Sequence, residues 1–221
     1  MSTPTPPRNR TAILISGRGS NMMSLVEAAK DPSYPAEIVM VISNRPDAAG
    51  LAWARNQGIP TLPLDHKLYA DHEHFESQLH AALTVAKVEI VALAGFMRLM
   101  TAGFVDKWRD RMLNIHPSLL PSFKGLHTHE RALVAGVRIA GCTVHLVRPE
   151  LDEGPILGQA AVAVLDGDTP DTLAARVLAA EHRLYPATLR LFAFGQARVD
   201  GGRVIYAEPI GAGETLFSPR S

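Results

Sequence analysis

The chain has 221 residues, 47% of them apolar, with 22 Lys and Arg against 22 Asp and Glu. That length suits one sizeable core. The charge balance leaves no basic field for nucleic acid or an anionic membrane, and no segment has the uninterrupted apolar length of a membrane span.

Residues 1–10, "MSTPTPPRNR", lack any apolar stretch and read as a disordered tail before a single domain over residues 11–210. Strands are predicted at Thr11–Ser16, Glu37–Ser43, weakly at "IPTLPL", and at Glu89–Ala94, Met112–His116 and Gly141–Val147. Helices start near Asn21, Ala48, Tyr69, Thr101 and His129, and Asp31-Pro32 and Gly58 stop the first two. "QAAVAVL" reads as a further strand. A long helix then follows to about Ala193, with Asp168 or Thr169 as N-cap and Pro170 in its first turn. Gly201 and Gly202 sit between two β-rich runs as a hairpin, and residues 211–221 read as a loose tail. Short strands alternating with Ala-rich helices imply α/β architecture: a mostly parallel twisted sheet with helices on both faces and a C-terminal β-hairpin. The single Cys142 has no disulfide partner within the chain and lies in the apolar run "GCTVHLV", as expected of a buried thiol in the cytoplasm.

"LISGRGSN" leads from the first strand into the first helix, placing its amides at a helix N-terminus on the carboxyl edge of the sheet, where anions bind. Gly17 and Gly19 permit close backbone approach, and Ser20 and Asn21 add donors. The dinucleotide fingerprint fails at Met22, where its third glycine belongs, and at Ser43-Asn44, where an acid would hold ribose. The P-loop Lys-Ser/Thr is missing too. The remaining reading is one phosphate on a small molecule.

"LNIHPSLLPSFKGLHTHERAL" begins at a strand end. Asn114 and His116, two apart, share one side of that strand. An amide donor beside an imidazole can hold a developing oxyanion while the ring moves or donates a proton. Asp152, in the Pro- and Gly-bounded loop "VRPELDEGPIL", is a candidate partner for His116, with Glu150 and Glu153 as alternatives. His127 and His129, with His116 or His145, invite a zinc reading, but no HExxH or cysteine set accompanies them, so no metal is expected.

"LISGRGSN", "LAGFMRLM", "LNIHPSLLPSFKGLHTHERAL", "TVHLVRPELDEGPIL" and "EHRLYP", in this order over residues 11–190, resemble the phosphoribosylglycinamide formyltransferase family of purine biosynthesis. The resemblance implies a formyltransferase-like, Rossmann-related fold. It also implies formyl transfer from 10-formyltetrahydrofolate to the amine of glycinamide ribonucleotide, without metal; a cytoplasmic monomer or weak homodimer is expected. Asn114, His116 and Asp152 match the family's catalytic trio. Gly19, Ser20 and Asn21 match its substrate-phosphate loop, and Glu181 its ribose contact. Met97, Arg98, Leu99 and Met100, with Asn114 and the loop Arg148, Pro149, Glu150, Leu151 and Asp152, match its folate-binding segments, which act largely through backbone groups. Arg18 and Pro149 depart from the family's pattern, and its basic folate contact has no clear match near Asp71-His72. A formyltetrahydrofolate hydrolase, with water in place of the amine, is the alternative that the resemblance leaves.

Overall fold

The computed structural model describes residues 8–208; residues 1–7 and 209–221, with most of the first expected tail and all of the second, lie outside the described residues. The chain runs β1 (Asn9–Ile15), α1 (Ser20–Ala29), β2 (Ala36–Ser43), α2 (Ala49–Asn56), β3 (Thr61–Pro63), α3 (His72–Val85), β4 (Ile90–Leu93), α4 (Ala102–Lys107) and β5 (Met112–His116). It continues through α5 (Thr128–Val134), β6 (Ile139–Leu146), β7 (Ile156–Ala163), α6 (Pro170–Ala193), β8 (Ala197–Asp200) and β9 (Arg203–Tyr206). Seven strands form one sheet in the order β3-β2-β1-β4-β5-β6-β7, and β8 and β9 form the separate hairpin. The β1–β2, β1–β4, β2–β3 and β4–β5 ladders are parallel and β6–β7 is antiparallel, giving the mostly parallel α/β fold expected.

Backbone contacts group the chain into two compact units: residues up to Asn114 with Val147–Pro149, and Ile115–Leu146 with Glu150 onward. In the first, Ala12, Leu14, Ile42 and Val91 of the strands are buried with Phe75, Leu79 and Leu83 of α3 and with Phe104 and Trp108 in and after α4. Its strand order reverses beside β1, so the carboxyl ends of β1 and β4 flank the crevice where open α/β sheets bind ligands. In the second unit, α6 buries Leu173, Val177, Tyr185 and Leu189 at helical spacing, with the bare backbone of Gly158 on β7 letting it approach. A Cβ there would lie 3.0 Å from Thr188 Oγ1.

Local chemistry moves several boundaries. β1 begins two residues before its expected start, inside the stretch read as tail. Asn9 N donates to Pro35 O at 2.7 Å, and the Arg8 guanidinium donates to Ala29 O at 2.5 Å and Ala36 O at 2.6 Å. Ladder hydrogen bonds thus order a stretch that lacks apolar residues. α3 starts at His72 rather than Tyr69, because Asp71 accepts from His74 N at 2.8 Å and fixes the N-cap there. α6 is capped by Thr169, with Thr172 completing a reciprocal box and Pro170 in the first turn.

Candidate active site

In the first unit, Gly19 is the N-cap of α1 at φ 69°, a left-handed conformation that favours glycine, and it offers no side-chain cap to the amides of the first turn. Helix starts capped without a side chain are where anions bind in other α/β sheets. Gly17, by contrast, has open space around its Cβ position and no positive φ, so the freedom expected of it is not used. The close approach occurs at Gly50 of α2, whose N–H donates to Gly17 O at 3.1 Å.

Ser16 joins this loop to the next strand crossing. Its N–H donates to Gly95 O at 3.1 Å, its hydroxyl donates to Asn44 Oδ1 at 2.5 Å, and Met97 N–H donates to its Oγ at 2.8 Å. The backbone amide of Met97, in the segment expected to hold folate, is therefore already committed. His66 Nδ1 lies 2.8 Å from Asn44 O, and a cavity of about 540 Å3 opens among Ser16, Asn44, His66, Lys67, Met97 and Arg98. Arg98 lies over the Phe75 ring at 5.0 Å, while Met97 and Leu99 expose about two thirds of their surface. Glu76, buried on α3, accepts from Thr101 N at 2.7 Å and from the Thr101 hydroxyl, fixing the chain just past Met100. Arg148 is paired with Asp110, and Pro149 beside it is exposed. Asp71 is spent on capping α3 and pairing with His74, whose hydrogen bonds lower its carboxyl below the ordinary range.

In the second unit, His116 Nδ1 lies 3.4 Å from Asp152 Oδ2, with both side chains 7% exposed. On the other side of the ring, Nε2 lies 3.1 Å from Phe123 O. Each ring nitrogen thus faces an oxygen that only accepts, so an N–H on either side has a partner. Asp152 also accepts from Gly125 N at 2.9 Å, and its second oxygen lies 3.7 Å from His145 Nε2. Phe123 and Asp152 both adopt left-handed backbone, φ 54° and 55°. Non-glycine residues held this way concentrate at functional sites, where the surroundings enforce them. Burial, above all, lowers the titration of His145, and burial followed by the nearby His116 lowers that of His129. Asn114 precedes His116 by two residues on β5 and so shares its side of the strand.

The loop after His116 is held from β6 and β7. Thr143, fully buried, donates its hydroxyl to Ser118 O at 2.7 Å and accepts from Leu120 N and Gln159 Nε2, each at 3.0 Å. Glu181 occupies the buried stripe of α6 between Val177 and Tyr185. Its charge reaches Cys142, whose thiol is pushed up to about 12, first by burial and then by that carboxylate. A thiol so held at the middle of a strand is a poor nucleophile.

The sequence model of the formyl transferase family matches residues 9–189. The chain belongs to that family. The chain is 48% identical over 202 residues to the trifunctional purine biosynthetic protein adenosine-3 of Bos taurus, 91% of the chain being covered. It spans only 20% of that relative's length. Phosphoribosylglycinamide formyltransferase of Escherichia coli K12 is 41% identical, covering 85% of this chain and 88% of its own. Among solved structures, phosphoribosylglycinamide formyltransferase from Brucella melitensis is 56% identical with a TM-score of 0.82, covering 90% of this chain and all of its own. Glycinamide ribonucleotide transformylase 1 from Symbiobacterium toebii gives 0.88 at 44% identity, with coverage of 91% and 95%.

The fold sets His116 and Asp152 together and ties Glu153 to Lys124 at 2.7 Å. Glu150 is exposed. His127 and His129 lie at the start of α5, where His127, at φ 55°, is the N-cap. Among the described residues no group of three His, Cys, Asp or Glu side chains is arranged to hold a metal ion. Sequence reasoning missed Ser16, Gly50, Glu76, Thr143 and Gln159. Of these only Glu76 carried a signal, an acid one residue after Phe75 on the apolar face of α3. The others act through backbone partners remote in sequence.

Proposed function

We propose that this chain transfers the formyl group of 10-formyltetrahydrofolate to the amine of glycinamide ribonucleotide, giving formylglycinamide ribonucleotide and tetrahydrofolate. The observation that carries the reading is the buried His116–Asp152 pair at 3.4 Å, at the end of the strand that also bears Asn114. Membership of the formyl transferase family and the Escherichia coli relative named for this reaction support it.

The ribonucleotide amine attacks the formyl carbon, and the carbonyl π electrons move to its oxygen. Asn114 and protonated His116 stabilise that oxyanion. As the tetrahedral intermediate collapses, the bond from carbon to the folate nitrogen breaks and the carbonyl re-forms. The proton lost by the amine passes to the departing nitrogen, with Asp152 orienting His116 and an ordered water as carrier. The amides at Gly19, Ser20 and Asn21 take the substrate phosphate, and Glu181 takes the ribose. Met97–Met100, Asn114 and the loop Arg148–Asp152 hold the folate. Thr143 and Gln159 support the reading by fixing the loop whose Phe123 carbonyl holds the His116 ring. No metal takes part, and the enzyme works in the cytoplasm as a monomer or weak homodimer. Among the described residues no helix is long and apolar enough to cross a membrane.

A formyltetrahydrofolate deformylase from Pseudomonas syringae pv. tomato shares the fold at 24% identity, which shows the fold alone. Folate absorbance followed with and without glycinamide ribonucleotide separates the two activities. Formyl loss that requires the ribonucleotide is expected. Equal loss in its absence would make the chain a hydrolase, and no loss in either case would end both readings.

A further inference from the structure

We infer that Gly50, in the first turn of α2, is a positioning residue for the phosphate-binding loop, and that its missing side chain sets the aim of that loop's amides. The inference rests on the reading of Gly19, Ser20 and Asn21 as the substrate-phosphate site. Gly50 is buried, and its backbone φ is not positive, so its own conformation does not call for glycine. Helix propensity alone would favour alanine there. What glycine supplies is room. A Cβ on residue 50 would lie 3.0 Å from both Gly17 O and Arg18 O, and 2.5 Å from Ile15 Cδ1. Gly50 N–H already draws Gly17 O toward α2 at 3.1 Å.

In a planar trans peptide the C=O and the following N–H point in opposite directions. Turning the carbonyls of Gly17 and Arg18 toward α2 therefore turns the N–H groups of Arg18 and Gly19 to the opposite face of the loop, where an anion is met. A methyl group at position 50 pushes both carbonyls by a few tenths of an ångström and rotates both peptide planes together. The loop keeps its sequence and its glycines but loses the alignment on which charge-assisted hydrogen bonds depend. Ile15 lies under the same structure, its side chain also facing Gly19, where a Cβ would meet it at 3.3 Å.

The test compares Gly50→Ala with the wild-type chain in steady-state kinetics, calorimetry and thermal unfolding. KM for glycinamide ribonucleotide should rise about tenfold, the scale of one weakened charge-assisted bond. The value of kcat and the affinity for a folate analogue should be unchanged, while the unfolding midpoint falls by a few degrees from the overpacking at Ile15. The double variant Ile15→Val with Gly50→Ala removes the Cδ1 contact and leaves only the pressure on the carbonyls, so its KM defect should persist. An unaltered KM, an equal loss for ribonucleotide and folate analogue, or full repair by Ile15→Val would each overturn the role given to Gly50. If the wild-type chain itself fails to bind the ribonucleotide, the functional reading falls and takes this inference with it.

Discussion

Asp152 stands between two imidazoles, 3.4 Å from His116 and 3.7 Å from His145, and takes a backbone N–H from Gly125. Asp152→Asn keeps the shape and removes the charge, so the fold should survive while single-turnover formyl transfer slows by about two to four orders of magnitude, the usual scale of positioned acid–base help. His116→Ala should lose a similar amount. The double variant should lose little more than either alone if the two act as one unit, as proposed. A rate for Asp152→Asn within about threefold of wild type, far below that scale, would remove the carboxylate from the mechanism. Thr143 permits a second residue-scale prediction. Thr143→Val leaves Leu120 N–H, Ser118 C=O and the Gln159 amide without their hydroxyl partner. At about 1–3 kcal/mol for a buried group left unpaired, urea unfolding should show a loss of several kcal/mol. Thr143→Ser, which keeps the hydroxyl, should recover most of it.

At the scale of elements, the start of α6 depends on charge as well as capping. Asp168 accepts from Leu165 N–H at 2.8 Å and from Arg176 at 2.7 and 2.9 Å, and the Arg176 guanidinium, first among several donors, holds its carboxyl well below the usual range. A carboxyl depressed by folding stabilises the native state above its ordinary value of 3.8, and that contribution fades as pH falls below it. Asp168→Asn should therefore lower the melting temperature at pH 7, and the gap from wild type should narrow as the pH is taken from about 4 toward 2. A gap that is constant with pH would assign the loss to packing. This helix was also the most legible element: its cap chemistry gave a start at Thr169 or Pro170 and an end at about Ala193, and it runs from Pro170 to Ala193. β5 was equally plain. The start of β1 was not, since strand pairing with β2 supplies what its own polar residues do not. In the site, motifs marked His116 and Asp152 because chemistry is written in side chains. Ser16 and Gly50 stayed hidden because their roles are contacts to backbone atoms that no local pattern records.

For the molecule as a whole, acid should be destabilising before the carboxylates titrate. Burial lowers His145, and burial with the His116 charge lowers His129, from the ordinary value of 6.5. The unfolded chain then takes up protons that the folded chain refuses, so stability is full above 6.5 and declines as pH falls below it. Melting temperatures measured downward from pH 7 should show this decline, and His145→Asn should flatten it. Dialysis against a strong chelator should leave the transfer rate intact; a rate lost and then restored by zinc would reinstate a metal. If the two ligands bind as proposed, Ser16 gives them a common thermodynamic fate. The residue that opens the glycine loop also accepts the Met97 amide. A ribonucleotide that steadies the loop therefore acts through one hydroxyl on the backbone that follows β4. Linkage makes such an effect mutual: the factor by which ribonucleotide improves folate affinity is the factor by which folate improves ribonucleotide affinity. Calorimetric titrations run in either order should return one cooperativity constant, and Ser16→Ala should draw it toward unity, leaving two ligands that bind as strangers.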